Sequence, residues 1–112
     1  MKNHYLKLII VSFSLFIFSS CERHLVLSGK VIDSTTNEPI DSVFVEFNGG
    51  KKGNFNKSHC ETYTDSTGTY ETSMMIGCAF GCYDVMSSFS KNGYKTKQEF
   101  NFEKGIVVLE KE

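Results

Sequence analysis

The chain has 112 residues, with 12 basic and 13 acidic side chains, a formal net charge of −1 and 13% aromatic residues. This length limits it to one domain with a modest core. Two of the basic residues, Lys2 and Lys7, and none of the acids lie in the first 20 residues. The remainder is therefore net acidic, which argues against a nucleic acid partner, because phosphate binding requires a basic face.

The N-terminal segment has the layout of a secretory signal. Lys2 and Lys7 precede an apolar run over residues 8–18, and Ser19, Ser20 and Cys21 follow it. A basic start, a short apolar stretch and small residues before a boundary are typical of such a signal. The run is shorter than the roughly 20 residues of a membrane-spanning helix. We therefore predict a signal peptide over residues 1–20.

The end of this segment, Phe18-Ser19-Ser20-Cys21, resembles the lipobox of bacterial lipoproteins, with Phe18 where Leu is usual. In that family the signal is cut before the cysteine, which receives palmitate-type acyl chains. The resemblance implies lipidation of Cys21, a short tether over residues 21–24, and a lipid-anchored place in the cell envelope. We expect the outer membrane, with the periplasmic and surface faces both open. The alternative is an ordinary secreted protein in which Cys21 is incidental.

The rest of the chain consists of short β-rich runs broken by Gly, Asn, Asp and Ser, which indicates an all-β domain. Alternation predicts inward faces, for example Leu27 with Val31 and Val45 with Phe47. Seven short antiparallel strands of this kind predict a sandwich of two sheets. The predicted strands cover residues 25–33, 41–47, 59–64, 69–75, 83–90, 94–102 and 106–109.

Two connections between the predicted strands are rich in turn-forming residues. The Gly-rich, basic stretch 48–58 lacks the ending of a phosphate-binding loop, so we predict a mobile connection there. The stretch 64–70 is predicted to be a tight reversal, because Asp65 can bond its own backbone and Gly68 can adopt positive φ. We expect residues 59–64 and 69–75 to pair as the two arms of a hairpin, with Tyr70 and Met74 on one face.

Three motifs in order resemble the carboxypeptidase regulatory-like domain. They are the opening over residues 27–45, the central turn over residues 64–70 and the late Gly-Tyr turn over residues 89–96. The resemblance implies a transthyretin-like, seven-stranded Greek-key sandwich over residues 25–112. Modules of this family are non-catalytic accessory domains beside peptidases, on outer-membrane receptors and in envelope lipoproteins. The turn-motif positions that it implies are Asp65, Gly68, Tyr70, Gly93 and Tyr94.

Three cysteines follow Cys21, namely Cys60, Cys78 and Cys82, and three thiols allow one disulfide with one left over. Pairing of Cys60 with Cys78 or Cys82 and local pairing of Cys78 with Cys82 are both open. A soft-metal site built from these thiols, His59 and a methionine is disfavoured. The Cys-x₃-Cys spacing is unusual for such a site, and alternation directs His59 away from Cys60. We therefore predict no metal and no cofactor.

No catalytic constellation is recognisable, because His59 has no Ser or Asp at a familiar spacing. The expected function is that of a membrane-anchored envelope lipoprotein whose sandwich is a non-catalytic interaction module with an envelope protein partner. The alternative is a lipoprotein that binds a small ligand, either a glycan or a metal. It would use Phe55, Phe80 and the cysteine-bearing loop over residues 76–82.

Overall fold

A computed structural model describes residues 22–51, 53–78 and 81–112, and within them all regular secondary structure is β-strand. Seven strands form two facing sheets, which confirms the predicted all-β sandwich. No helix in the described part of the chain could cross a membrane. The strands are β1 (Glu22–Asp33), β2 (Phe44–Lys51), β3 (Asn54–Tyr63), β4 (Thr69–Gly77), β5 (Asp84–Ser90), β6 (Lys97–Phe100) and β7 (Lys104–Leu109).

The strand order is β4-β1-β7 in the three-stranded sheet and β3-β2-β5-β6 in the four-stranded sheet. Pairing is antiparallel throughout except between β1 and β7, which run parallel with Val31 opposite Val107. The expected all-antiparallel arrangement is therefore wrong for this one pair. Alternation within each strand cannot reveal it, because parallel and antiparallel neighbours bury the same face.

The core lies between the sheets and consists of the inward half of each alternating strand. Phe47 and Phe89 are fully buried, and the ring of Tyr70 packs between them with centroid distances of 6.0 and 5.8 Å. Burying a side chain of this size contributes about 1.5–3 kcal/mol. The predicted positions Leu27, Val31, Val45, Phe47, Tyr70 and Met74 are all buried, which confirms the alternation, and Val85 and Phe89 of β5 are buried with them.

The prediction of a mobile connection over residues 48–58 is wrong. β2 continues to Lys51 and β3 begins at Asn54, so most of this stretch is a hairpin. The ladder shifts register between Gly49 and Lys51, and a Cβ at Gly50 would overlap the Asn54 carbonyl. Glycine in a strand often marks such a bulge, because the neighbouring backbone can approach closely. These glycines therefore shape the hairpin instead of ending the strand.

The prediction that residues 59–64 and 69–75 pair as a hairpin is also wrong. β3 pairs with β2, β4 pairs with β1, and the turn between them carries the chain from one sheet to the other. Thr64 anchors this crossing, because its hydroxyl donates to the Ile40 carbonyl at 2.7 Å and accepts from the Val43 N–H at 2.9 Å. The 64–69 turn is tight as predicted, but it joins strands of different sheets.

Several strand boundaries differ from those predicted. β1 begins at Glu22, so residues 22–24 pair with β4 instead of forming a tether. β2 begins only at Phe44, because Ser42 adopts a left-handed φ of 55°. The predicted strand 94–102 shortens to β6, and Tyr94 makes only an isolated bridge to Lys111.

Candidate binding face

The outer face of the four-stranded sheet carries a polar cluster, which we define as Glu46, Asn48, His59 and Glu61. In the antiparallel ladder of β2 and β3, Glu46 lies directly opposite Glu61 and Asn48 lies directly opposite His59. Residues two apart on a strand share a face, so all four side chains point outward. The sheet backbone therefore fixes their relative positions without help from any loop.

Hydrogen bonds link the members of the polar cluster in a row. The Asn48 side-chain amide donates to Glu46 Oε1 at 3.1 Å, and Asn48 Oδ1 lies 2.7 Å from His59 Nδ1. The other ring nitrogen, Nε2, lies 3.4 Å from Glu61 Oε2. The His59 and Glu61 side chains are about half exposed, at 50% and 54%. The cluster is thus ordered by its own contacts and remains open to solvent.

Aromatic rings lie at both ends of this face. Phe44 and Tyr63 are cross-strand partners whose ring centroids are 5.3 Å apart, and Phe55 meets the ring of Phe100 edge-on at 6.2 Å. Tyr63 and Phe100 are 61% and 55% exposed. Aromatic residues are enriched at the centres of protein interfaces, where they supply much of the buried area. The combination of rings and polar groups is therefore suited to binding.

The predicted turn residues Asp65, Gly68 and Tyr70 have structural roles. Asp65 accepts hydrogen bonds from the hydroxyls and N–H groups of Thr67 and Thr69, which lower its pKa to about 2. Gly68 has φ of 74°, and a Cβ there would lie 2.7 Å from the Val31 carbonyl oxygen. The Tyr70 hydroxyl is buried without a hydrogen-bond partner in the described residues, and burial raises its pKa to about 12.

The late turn residues Gly93 and Tyr94 border a separate cleft of about 490 Å³ whose lining is mostly polar. The Tyr94 hydroxyl donates to Asp33 Oδ2 at 2.7 Å, while the N–H groups of Thr35 and Thr36 donate to Oδ1. Tyr94 and these N–H groups lower the pKa of Asp33 to about 2, and the same contact raises the pKa of Tyr94. This network joins the last residue of β1 to the turn after β1 and to Tyr94, which follows β5.

Of the two disulfide pairings left open by the sequence, the structure has the local one. Cys78 and Cys82 form a disulfide, and Cys60 is a free, half-buried thiol whose pKa is raised by desolvation. Cys60 packs against the core, whereas His59 points outward, as alternation predicted. The soft-metal set of His59 and the three thiols is thus not assembled. Cys21 and Phe80 lie outside the described residues.

Sequence reasoning missed Glu46 and Asn48 as partners of His59. The signal was present in part, because Glu46 alternates with the buried Val45 and Phe47, and His59 and Glu61 are two residues apart. What was missing was the register between the two strands. Treating residues 48–58 as a loop removed Asn48 from β2 and left no basis for placing it opposite His59.

Comparisons with known proteins add information about the fold alone. No protein-family profile and no curated protein sequence matches the chain. Among solved structures, the chain is similar to 3-chlorocatechol 1,2-dioxygenase from Rhodococcus opacus 1CP, with a TM-score of 0.62 and 11% identity. The likeness covers 80% of this chain but only 60% of the dioxygenase chain. At this identity it shows a shared β-sandwich architecture.

Proposed function

We propose that this protein is a lipid-anchored lipoprotein of the cell envelope whose β-sandwich is a non-catalytic module for binding a protein partner. The observation that carries the binding role is the outer face of the four-stranded sheet, where exposed Tyr63 and Phe100 lie on either side of the polar cluster. Exposed aromatic side chains beside polar groups are common anchors of a protein interface.

The lipid anchor rests on the sequence that precedes the sandwich. Cys21 directly precedes Glu22, the first residue of β1. Acyl chains on Cys21 would therefore hold this end of the sandwich close to the lipid surface, since each buried CH₂ group contributes about 0.8 kcal/mol. A domain held so close to its membrane is suited to a partner in the same membrane.

The non-catalytic part of the proposal is supported by the surroundings of His59. Its hydrogen-bond partners are Asn48 and Glu61, and neither provides the hydroxyl or thiol nucleophile of acyl-transfer enzymes. The cysteine that follows it in sequence, Cys60, points to the opposite face of the strand. A histidine in this arrangement can orient or bind a group, and neither of its described hydrogen-bond partners is a nucleophile of that kind.

Lipidation is tested with cells that express Cys21→Ser, Cys60→Ser or the wild-type protein and are fed an alkyne fatty acid. We expect wild type and Cys60→Ser to carry the label and to sediment with membranes, and Cys21→Ser to lose both properties. Cys60→Ser is the matched control, because it removes a thiol from the same chain. Equal labelling of Cys21→Ser would contradict the anchor.

Partner binding is tested by crosslinking in intact cells, followed by capture of the tagged full-length protein and mass spectrometry. We expect one dominant envelope protein that is lost in Tyr63→Glu and Phe100→Glu. Val26→Glu should retain it, because Val26 is also exposed (54%) but lies on the outer face of the other sheet. Absence of any partner above background, or equal loss in all three variants, would count against this face as the interface.

A second candidate function is small-ligand binding, and the polar cluster favours a metal ion over a glycan. The ring of Phe55 is half-buried and packs in a T-shaped arrangement with Phe100, so part of its surface is already covered. The cluster, by contrast, presents nitrogen and carboxylate atoms of the kind that bind divalent cations.

A further inference from the structure

The hydrogen bonds of the polar cluster indicate which nitrogen of the neutral His59 ring carries the proton. The Asn48 amide nitrogen donates to Glu46, so the Asn48 carbonyl oxygen must be the atom that faces His59 Nδ1 at 2.7 Å. A carbonyl oxygen only accepts, and Nδ1 therefore carries the hydrogen and donates it. In the neutral ring, Nε2 is left with its lone pair.

That lone pair is directed at other acceptors. Nε2 lies 3.4 Å from Glu61 Oε2, and Nε2 and carboxylate oxygens of Glu46 and Glu61 all lie within 4.8 Å of one another. The two glutamates are also direct cross-strand partners, and like charges in that position are destabilising. Three acceptors that converge in this way form a set of ligand atoms suited to a metal cation.

We propose that Glu46, His59 and Glu61 bind a divalent transition-metal ion of the Zn²⁺ type. The ligands are Nε2 of His59 and one oxygen from each carboxylate. One imidazole nitrogen and two carboxylates are ligands that Zn²⁺ accepts, and three protein ligands leave a coordination position for water. This site involves none of the thiols and does not depend on the lipid anchor.

Asn48 is a positioning residue for this site. A metal-bound histidine commonly donates its other N–H to a carbonyl or carboxylate, which fixes the tautomer and the orientation of the ring. Asn48 provides that carbonyl and, through its amide nitrogen, holds Glu46 as well. One side chain thus orients two of the three ligands, and this arrangement is stronger support for a metal than the proximity of three titratable groups alone.

The test is a calorimetric Zn²⁺ titration of the full-length protein, purified in detergent with a tag free of histidine and stripped of metal with a chelator. We expect one Zn²⁺ per chain for wild type. Asn48→Ala should weaken binding by about 10–100-fold, and His59→Gln should weaken it further. His24→Gln and Cys60→Ser are the controls that should bind as wild type does, because neither residue belongs to the cluster.

A thermal readout separates metal binding from simple loss of structure. Zn²⁺ should raise the melting temperature of the wild type but leave that of Glu61→Gln nearly unchanged, while Glu61→Gln without metal should melt no lower than wild type. Absence of Zn²⁺ binding by the wild type would overturn the proposal, as would equal binding by His59→Gln. Either result leaves the labelling and crosslinking outcomes unaffected.

Discussion

Two carboxylate groupings of this sandwich differ in how their hydrogen bonds are balanced. Asp33 is 3% exposed, and both of its oxygens accept hydrogen bonds, including one from the Tyr94 hydroxyl. On the outer sheet face, Glu46 and Glu61 lie opposite each other with Nε2 of His59 beside them. The first grouping has enough donors and holds the fold together. In the second, the described contacts to the two carboxylates include one amide donor, from Asn48, and this shortage of donors makes it a candidate for binding.

Removing the carboxylate of Asp33, whose two oxygens both accept hydrogen bonds, should have the largest effect on stability. Asp33→Ala leaves the Tyr94 hydroxyl and two backbone N–H groups without their acceptor, and losing three partly buried hydrogen bonds to a charged group is costly. We expect the midpoint of thermal unfolding to fall by about 10 °C. Asp41→Ala is the control, because the Asp41 side chain is 67% exposed. Equal effects of the two substitutions would show that the Asp33 network is not stabilising.

The same network should give the protein a measurable acid sensitivity. The pKa of Asp33 is about 2 in the folded protein against an ordinary 3.8, so folding favours the charged form. This contribution is fully present above the ordinary pKa and is lost as the pH falls from about 4 to about 2. We expect the difference between the urea unfolding midpoints of wild type and Asp33→Ala to be constant above pH 5 and to shrink as the pH falls towards 2. A difference independent of pH would contradict this expectation.

The smallest effect on stability should come from removing the repulsion between Glu46 and Glu61 in the polar cluster. Without metal, Glu46→Gln removes one of two opposed negative charges, and we expect a gain of about 0.2–1 kcal/mol in the free energy of unfolding. Urea denaturation in the presence of chelator measures it. Glu71→Gln is the control, because Glu71 is exposed on β4 opposite the uncharged Ser28. A loss of stability in Glu46→Gln alone would mean that the two glutamates do not repel each other.

The inner faces of the strands could be predicted from the sequence because they depend only on neighbours along the chain. Val45 and Phe47 alternate with polar residues, and so both are buried wherever the strand is placed. Turn chemistry is local for the same reason. Asp65 collects hydrogen bonds from Thr67 and Thr69 within the turn itself, so no distant partner is needed to recognise it.

Strand pairing could not be predicted from the same signals. The turn at Asp65 and Gly68 is compatible both with a hairpin and with a crossing between sheets. Which of the two forms depends on whether β3 and β4 pair with each other or with β2 and β1. From the sequence alone, Gly49 and Gly50 likewise indicate the end of a strand. Their role in the hairpin becomes clear only from the close approach of the Asn54 backbone to Gly50. The polar cluster depends on the register of β2 against β3, and it therefore could not be found before that pairing was known.

The parallel pairing of β1 with β7 has a consequence for biosynthesis. Residues 28–33 hydrogen-bond alongside residues 104–109, so the first strand of the sandwich acquires its neighbour only when the last strand has been made. A chain still emerging from the ribosome leaves one edge of β1 unpaired, and contacts so distant in sequence form slowly. We infer that the three-stranded sheet can be completed only after residues 104–109 have been synthesised.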